Sequence, residues 1–362
     1  MKAVLALFAN ACTLLASALP CDFMRGTDVS SLGSVEAAGG RFFDLDGRPA
    51  DLFKILKRHG FNWIRLRVWT RPKGKLVDDG VLELARRAKK EGFKLLVDFH
   101  YSDTWADPEK QNAPAMWAGL AAEEKVAAIE DYTRRAIEKF ASAGARPDAV
   151  QIGNELNNGF VWPDGKIWGS RGEKVGGMEG FVALLKAAAK GARAAGKEIR
   201  LVVHLAEGGD NAKCRAMLEP LAAAGVDFDM IGLSFYPYWH GEAAGLKANM
   251  EDLTKRFGRP VAVVETAYAW TKEHGDDKTN VFPVDGNEAS VEMQRAKVRE
   301  VVEAVRAVEG GAGVFYWEPA WLPNAHEGST WENQTLFDFK GRALKSIDLW
   351  EGCQTNSGRI RK

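Results

Sequence analysis

Two glutamates close two apolar runs. Val150 to Gly153 leads into Asn154-Glu155 within VQIGNELNN, and Pro260 to Val264 leads into Glu265 within PVAVVET. Each run is short enough for a buried strand, and α/β folds place their chemistry at the carboxyl ends of such strands. Alternation puts Gln151, Gly153 and Glu155 on one face, with the missing side chain at Gly153 leaving room beneath the acid. By the same rule Val261, Val263 and Glu265 share a face. Two carboxyl groups so held, 110 positions apart in the chain, are the smallest apparatus for cleaving a glycosidic bond. One protonates the leaving oxygen while the other attacks or stabilises the anomeric carbon.

Other polar residues gather where apolar runs end: Asp28, Arg67, Asp98, His100, Asn154, His204, Tyr236 and Trp317. A single histidine at a strand end is more often structural; several strand ends sharing the habit indicate one pocket. A metal hydrolase would use His100 and His204 with the acids. The HxH pair such barrels carry after the first strand is replaced here by Thr27-Asp28, and HExxH is absent, so no catalytic metal is expected. Gly191 to Lys197, GARAAGK, imitates a phosphate loop but has Glu198 where Ser or Thr belongs, at the end of an Ala-rich helix. Of twelve tryptophans, ten fall at strand ends or in the loops that follow. Trp105, Trp162, Trp168, Trp239, Trp270 and Trp321 cannot all be core, and flat rings stacking on sugars in an open groove account for the excess; stapling of long loops is the competing use.

The elements that must position these groups alternate. Strands are predicted at Phe23–Val29, Asn62–Trp69, Lys94–Phe99, Val150–Gly153, Arg200–His204, within Phe228–Tyr236, at Pro260–Thr266 and at Gly313–Trp317. Helical spacing lies between them, at 52–57, 79–91, 121–143, 179–195, 212–224, 243–257 and 288–308, with a last helix at 343–350. In NWIRLRVW, Ile64, Leu66 and Val68 alternate with Trp63, Arg65 and Arg67, so one of the two arginines should point at the acids. Eight strands and eight helices predict a closed (β/α)8 TIM barrel, with long βα loops forming an open groove. A doubly wound open sheet would want GxGxxG after the first strand, which FMRGTDVSSLG lacks.

The 362 residues, 46% hydrophobic and without a compositional break, suit one barrel-sized domain spanning 19–352. Lys+Arg and Asp+Glu both number 49, so no charge favours nucleic acid or an anionic membrane. Met1 to Ala18, with Lys2, an apolar core and Ala16-Ser17-Ala18, is read as an export signal cleaved after about Ala18, which makes the protein secreted or periplasmic. A buried first helix and a lipoprotein acylated at Cys21 are the alternatives. The mature chain then carries Cys21, Cys214 and Cys353; a Cys21–Cys353 disulfide would leave Cys214 free. The end, 353–362, is read as a loose polar tail.

Six stretches together resemble the endo-β-1,4-galactanases of glycoside hydrolase family 53: IRLRVW from Ile64, DFHYSDTWADP from Asp98, IGNELNNGFVWP from Ile152, SFYPYW from Ser234, VVET from Val263 and YWEPAW from Tyr316. The resemblance covers about Gly26 to Trp350. It implies a retaining enzyme acting on β-1,4-galactan, with Glu155 as acid/base and Glu265 as nucleophile, their carboxyl groups about 5 to 5.5 Å apart. Asn154 would contact the sugar 2-hydroxyl, Arg67 and Tyr236 would hold Glu265 ionised, and Asp98, His100, His204 and Trp317 would line the cleavage subsite, with Trp105 and Trp239 as further sugar contacts. Some similar members bind calcium in the loop after the seventh strand; here that loop reads HGDDKTN from His274 to Asn280, and Lys278 stands where a ligand is wanted. The expectation is therefore a monomer without cofactor whose partner is the polysaccharide. A barrel acting on β-1,4-mannan or glucan, and an inactive glycan binder, are the rival readings.

Overall fold

Short runs rich in β-branched residues become eight parallel strands in a computed structural model that describes residues 23–350, apart from 71–74, 171 and 324–327. They are β1 (Met24–Asp28), β2 (Trp63–Val68), β3 (Lys94–Phe99), β4 (Ala149–Ile152), β5 (Arg200–Leu205), β6 (Met230–Ser234), β7 (Val261–Thr266) and β8 (Gly311–Tyr316). Each pairs with the next, and β1 also pairs with β8, so the sheet closes into a barrel. The expected TIM barrel is therefore the observed fold.

Helices cover the outside: α1 (Leu32–Ala37), α2 (Leu52–Arg58), α3 (Asp79–Lys90), α4 (Ala122–Ser142), α5 (Gly177–Ala195) and α6 (Asn211–Ala223), then, after the single turn α7 (Pro237–His240) at the barrel mouth, α8 (Ala243–Phe257) and α9 (Val291–Arg306). Their limits follow from capping. Asp78 accepts the Gly80 N–H to start α3, and Ser290 accepts the Met293 N–H to start α9. The helix expected at 343–350 is a 3-10 turn at Lys345–Ile347 instead. Ser346, Ile347, Leu349 and Trp350 are all buried there, on more sides than one helical stripe offers.

The barrel interior is built in layers. At the amino-terminal base, Met24, Trp63, Leu96, Val202, Met230 and Phe315 belong to one apolar cluster, distinct from the larger core between sheet and helices. Gly26 is required there, because a Cβ would lie 2.1 Å from the Phe315 ring. Above this base the inward positions turn polar: Asp28, Arg65, Asp98, Gln151, His204 and Ser234 are all buried.

Two expectations about alternation fail. In β7, Ala262 and Val264 face the barrel interior, while Val261 and Val263 pack outward. The register with β6 then jumps from Leu233↔Val263 to Ser234↔Glu265, a bulge that turns Glu265 inward beside Val264. In β4 the strand stops at Ile152, and Gly153 (φ 105°) and Glu155 (φ 46°) both take left-handed backbone. The space left by Gly153 serves Leu156, whose Cδ2 would be 2.6 Å from a Cβ, and not the acid.

The sequences read as signal, as Cys21–Cys353 bridge and as tail lie outside the described residues; Cys214 is buried and free. Among the described residues no helix is long and apolar enough to cross a membrane.

Candidate active site

At the carboxyl ends of the strands, a cavity of about 340 Å³ is lined by Asp28, Arg65, Arg67, Asp98, His100, Trp105, Asn154, Glu155, Tyr236, Trp239, Glu265 and Trp317, with Trp321 and Trp331 completing the aromatic wall. The two glutamates thus share one enclosure. Every residue expected at the site lies there except His204, which is wholly buried beneath it.

Glu265 receives two donors. Arg65 Nη2 lies 2.9 Å from Oε1, and the Tyr236 hydroxyl donates to Oε2 at 2.9 Å. The arginine expected here was Arg67; Arg65 takes that place. Arg65 also donates to Asp28 Oδ2 and Asp98 Oδ2, each at 2.9 Å, and to Asn154 Oδ1 at 2.9 Å. Both arginines face inward, but Arg65 rises from the buried layer into the ring of acids. Arg67, one step nearer the mouth, reaches past them: its guanidinium lies 3.8 Å over Trp105 and 4.3 Å over Trp69, and its Nη1 is 3.7 Å from Glu318.

Glu318 is a buried acid that sequence reasoning passed over. It follows Trp317 in YWEPAW, has φ 49°, and accepts the Ser31 N–H (3.0 Å) and hydroxyl (2.5 Å). Burial and the Asp28 charge push its carboxyl up to about 8, against Arg67 and Ser31. Its signal was available only as an acid inside an otherwise aromatic string.

Glu155 is held differently. Gln111 Nε2 donates to the carbonyls of Asn154 (2.7 Å) and Glu155 (3.2 Å), fixing the strained turn after β4. Among the described residues its carboxyl has a single protein donor, the Ser234 hydroxyl, 2.6 Å from Oε1. His204 stands behind both. Its Nε2 is 2.9 Å from Ser234 Oγ, and its Nδ1 accepts the Glu155 N–H at 3.3 Å and lies 2.9 Å from Asn154 Oδ1. Burial, with Arg65 near, keeps this ring well below its usual pKa and so neutral. The expectation that His204 lines the subsite is therefore corrected to support from below. The cause is its place at the inward level of β5, where Gly232 of β6 is its register partner.

The remaining members are braced. Asp98 accepts from Arg65 and from Gln151 Nε2 (2.6 Å), and His100 Nε2 lies 3.1 Å from it. Burial alone would raise the Asp98 carboxyl, but Arg65 and His100 hold it below the usual range. His100 Nδ1 accepts the Ala106 N–H at 3.0 Å, which leaves Nε2–H to face Asp98. Asn154 donates from Nδ2 to Ala106 O at 2.9 Å. Trp317 and Trp105 stand 5.9 Å apart on the cavity wall, and Trp239 is half exposed at its rim.

Both acids are raised. Burial, then the neighbouring Glu265 charge, pushes Glu155 up to about 8, with Ser234 the main opposing contact. Burial pushes Glu265 up to about 7, with Arg65 and Tyr236 pulling it down against Asp98. The cationic donor Arg65 on Glu265, against a hydroxyl on Glu155, favours the charged form of Glu265.

Polar side chains of the loop after β7 bond to main-chain groups. Asp276 accepts the Lys278 N–H through Oδ1 and the Ser329 N–H through Oδ2, both at 2.8 Å, and His274 Nδ1 lies 3.2 Å from the Lys278 carbonyl. Glu332 Oε1 accepts from Gly275 N at 2.5 Å. Among the described residues no group of three or more His, Cys, Asp or Glu is placed to hold a metal.

Comparison with known proteins agrees with this geometry. The sequence profile of glycosyl hydrolase family 53 matches residues 24–350. An endo-beta-1,4-galactanase of Bacillus subtilis is 32% identical, over 94% of this chain and 88% of its own. An arabinogalactan endo-beta-1,4-galactanase of Humicola insolens is 34% identical, over 90% and 98%. The solved GH53 catalytic domain of Ignisphaera aggregans superposes with a TM-score of 0.85 at 39% identity, covering 93% of this chain and 98% of that one. With the profile spanning nearly the whole barrel, the chain belongs to glycosyl hydrolase family 53.

Proposed function

We propose that this protein is a retaining, endo-acting glycoside hydrolase that cleaves β-1,4-galactosidic bonds in galactan and type I arabinogalactan. The observation that carries the mechanism is the unequal treatment of two acids in one cavity: two donors on Glu265, one of them cationic, against one hydroxyl on Glu155. The substrate follows from relatives named as galactanases.

In the first step a Glu265 carboxylate oxygen bonds to the anomeric carbon as the bond to the leaving oxygen breaks, and Glu155 gives that oxygen its proton. In the second, Glu155 takes a proton from water, whose oxygen attacks the same carbon and displaces Glu265. Asn154, Asp98, His100 and Arg67 hold the sugar at the cut, Tyr236 orients Glu265, and His204 acts through Ser234 and Asn154. Trp105, Trp317 and Trp239 give the apolar sugar faces something flat to lie on. No cofactor enters either step. Export behind the segment Met1 to Ala18, and action as a monomer, complete the reading.

Azide assigns the acids. On an aryl β-galactobioside, Glu155→Ala with azide should yield the β-azide and Glu265→Ala the α-azide, each variant having lost about a thousandfold or more of its rate on galactan. Near-normal rates in both variants would refute the assignment. Reducing-sugar release from galactan but not from mannan or glucan tests the substrate.

A further inference from the structure

All twelve tryptophans of the sequence are described, and two of them are largely exposed: Trp239, which lines the cavity, and Trp168, 52% exposed, which does not. Trp168 sits on the loop that follows Glu155, and that loop is firmly built. Asn158 Oδ1 accepts the N–H groups of Ile167 (3.2 Å) and Trp168 (2.8 Å), and its Nδ2 donates to the Trp168 carbonyl at 3.2 Å. Its own carbonyl accepts Trp162 Nε1 at 2.9 Å. Gly159 and Gly165 touch so closely that a Cβ on Gly159 would lie 1.8 Å from the Gly165 oxygen. Thus three contacts from one side chain, three residues beyond the acid, fix the backbone of an indole left standing in water. Leaving such a ring exposed forgoes the gain from burying it, and fixing its backbone pre-organises a surface for something to cover it.

We propose that Trp168, held by Asn158, is an outlying sugar platform for the departing part of the polysaccharide, taking the apolar face of a β-linked hexose beyond the cavity. Glu155 protonates the oxygen that leaves with that part of the chain, so the loop running on from Glu155 flanks the departing side. The inference rests on the reading of Glu155 as acid and of galactan as substrate.

The test compares wild type, Trp168→Ala and Trp168→Phe on galactan, on galacto-oligosaccharides of increasing length, and on an aryl β-galactobioside, which has no sugar on the departing side. Trp168→Ala should lose about three- to tenfold in kcat/KM on galactan and long oligosaccharides, the worth of one stacked ring, and shift the product lengths. It should match wild type on the aryl substrate, and Trp168→Phe should recover most of the loss. Unchanged kinetics and products on every chain length, or an equal loss on the aryl substrate, would overturn the platform. Wild type that leaves galactan intact would defeat the galactanase reading beneath it, an outcome distinct from an active wild type with an indifferent Trp168.

Discussion

Arg65 is enclosed by three carboxylates, Asp28, Asp98 and Glu265, and one guanidinium cannot neutralise all three. The shortfall falls on Glu265, the acid nearest the cavity, which burial and Asp98 raise while Arg65 and Tyr236 restrain it. Each restraint acts on one limb of the pH profile. On the proposed mechanism the active form has Glu265 ionised and Glu155 protonated, so Glu265 would set the acid limb of kcat/KM and Glu155 the alkaline limb. Tyr236 donates to the ionised form of Glu265; Tyr236→Phe should raise that pKa and move the acid limb upward by about one unit, the size of a charge-assisted hydrogen bond. Ser234 donates to the ionised form of Glu155; Ser234→Ala should raise the Glu155 pKa and move the alkaline limb upward by a similar amount. Profiles of the two variants measured on one aryl substrate check this, and movement of the opposite limb in either would reverse the assigned roles.

Elements decide whether those residues meet. Much of their arrangement is legible in the chain: the alternation of Ile64, Leu66 and Val68 with Trp63, Arg65 and Arg67 correctly sends both arginines inward. Pattern alone cannot rank the two, because what separates them is height in the barrel, set by neighbours distant in sequence. The β7 bulge is equally hidden, since PVAVVET reads as an unbroken strand and only pairing with β6 reveals the skipped residue. Glu318 escapes for the same reason: its partners Ser31 and Arg67 come from the turn after β1 and from β2, across the barrel closure. The turn after β4 is where this kind of positioning is most exposed to a single change. Gly153 has φ 105° and its missing Cβ is replaced by Leu156, so Gly153→Ala should displace Leu156 and the adjacent Glu155 together. A fall in kcat of about a hundredfold, with a lowered Tm and KM changed far less, is the expected outcome. Wild-type kcat would show that the acid is positioned by Gln111 and Ser234 without the turn.

At the scale of the molecule, chemistry and closure occupy opposite ends of the barrel. The mouth carries the polar layer and its strained turns; the base carries the apolar plug and the contacts that tie the last described residues to the end of α2. There His59, at the end of α2, places Nδ1 2.5 Å from Asp348 and Nε2 2.8 Å from Asp44, while Trp350 packs edge-on against Phe61 with ring centroids 5.4 Å apart. These contacts join the segment after β8 to the approach to β2, over β1. Residues at this face of a barrel bear on stability, and those at the other face on catalysis. Asp348→Ala should therefore remove one carboxylate from a half-buried histidine that keeps the other, costing about 1 to 3 kcal/mol and a few degrees of Tm. Its kcat and KM on galactan at 25 °C should stay within about twofold of wild type, because additivity holds for sites sharing no partners. Thermal denaturation with kinetics on the same preparation separates the two effects. A kcat that falls in step with Tm would mean that loosening the base reaches Arg65 and the acids above it, and that the apolar plug transmits strain between the layers instead of isolating them.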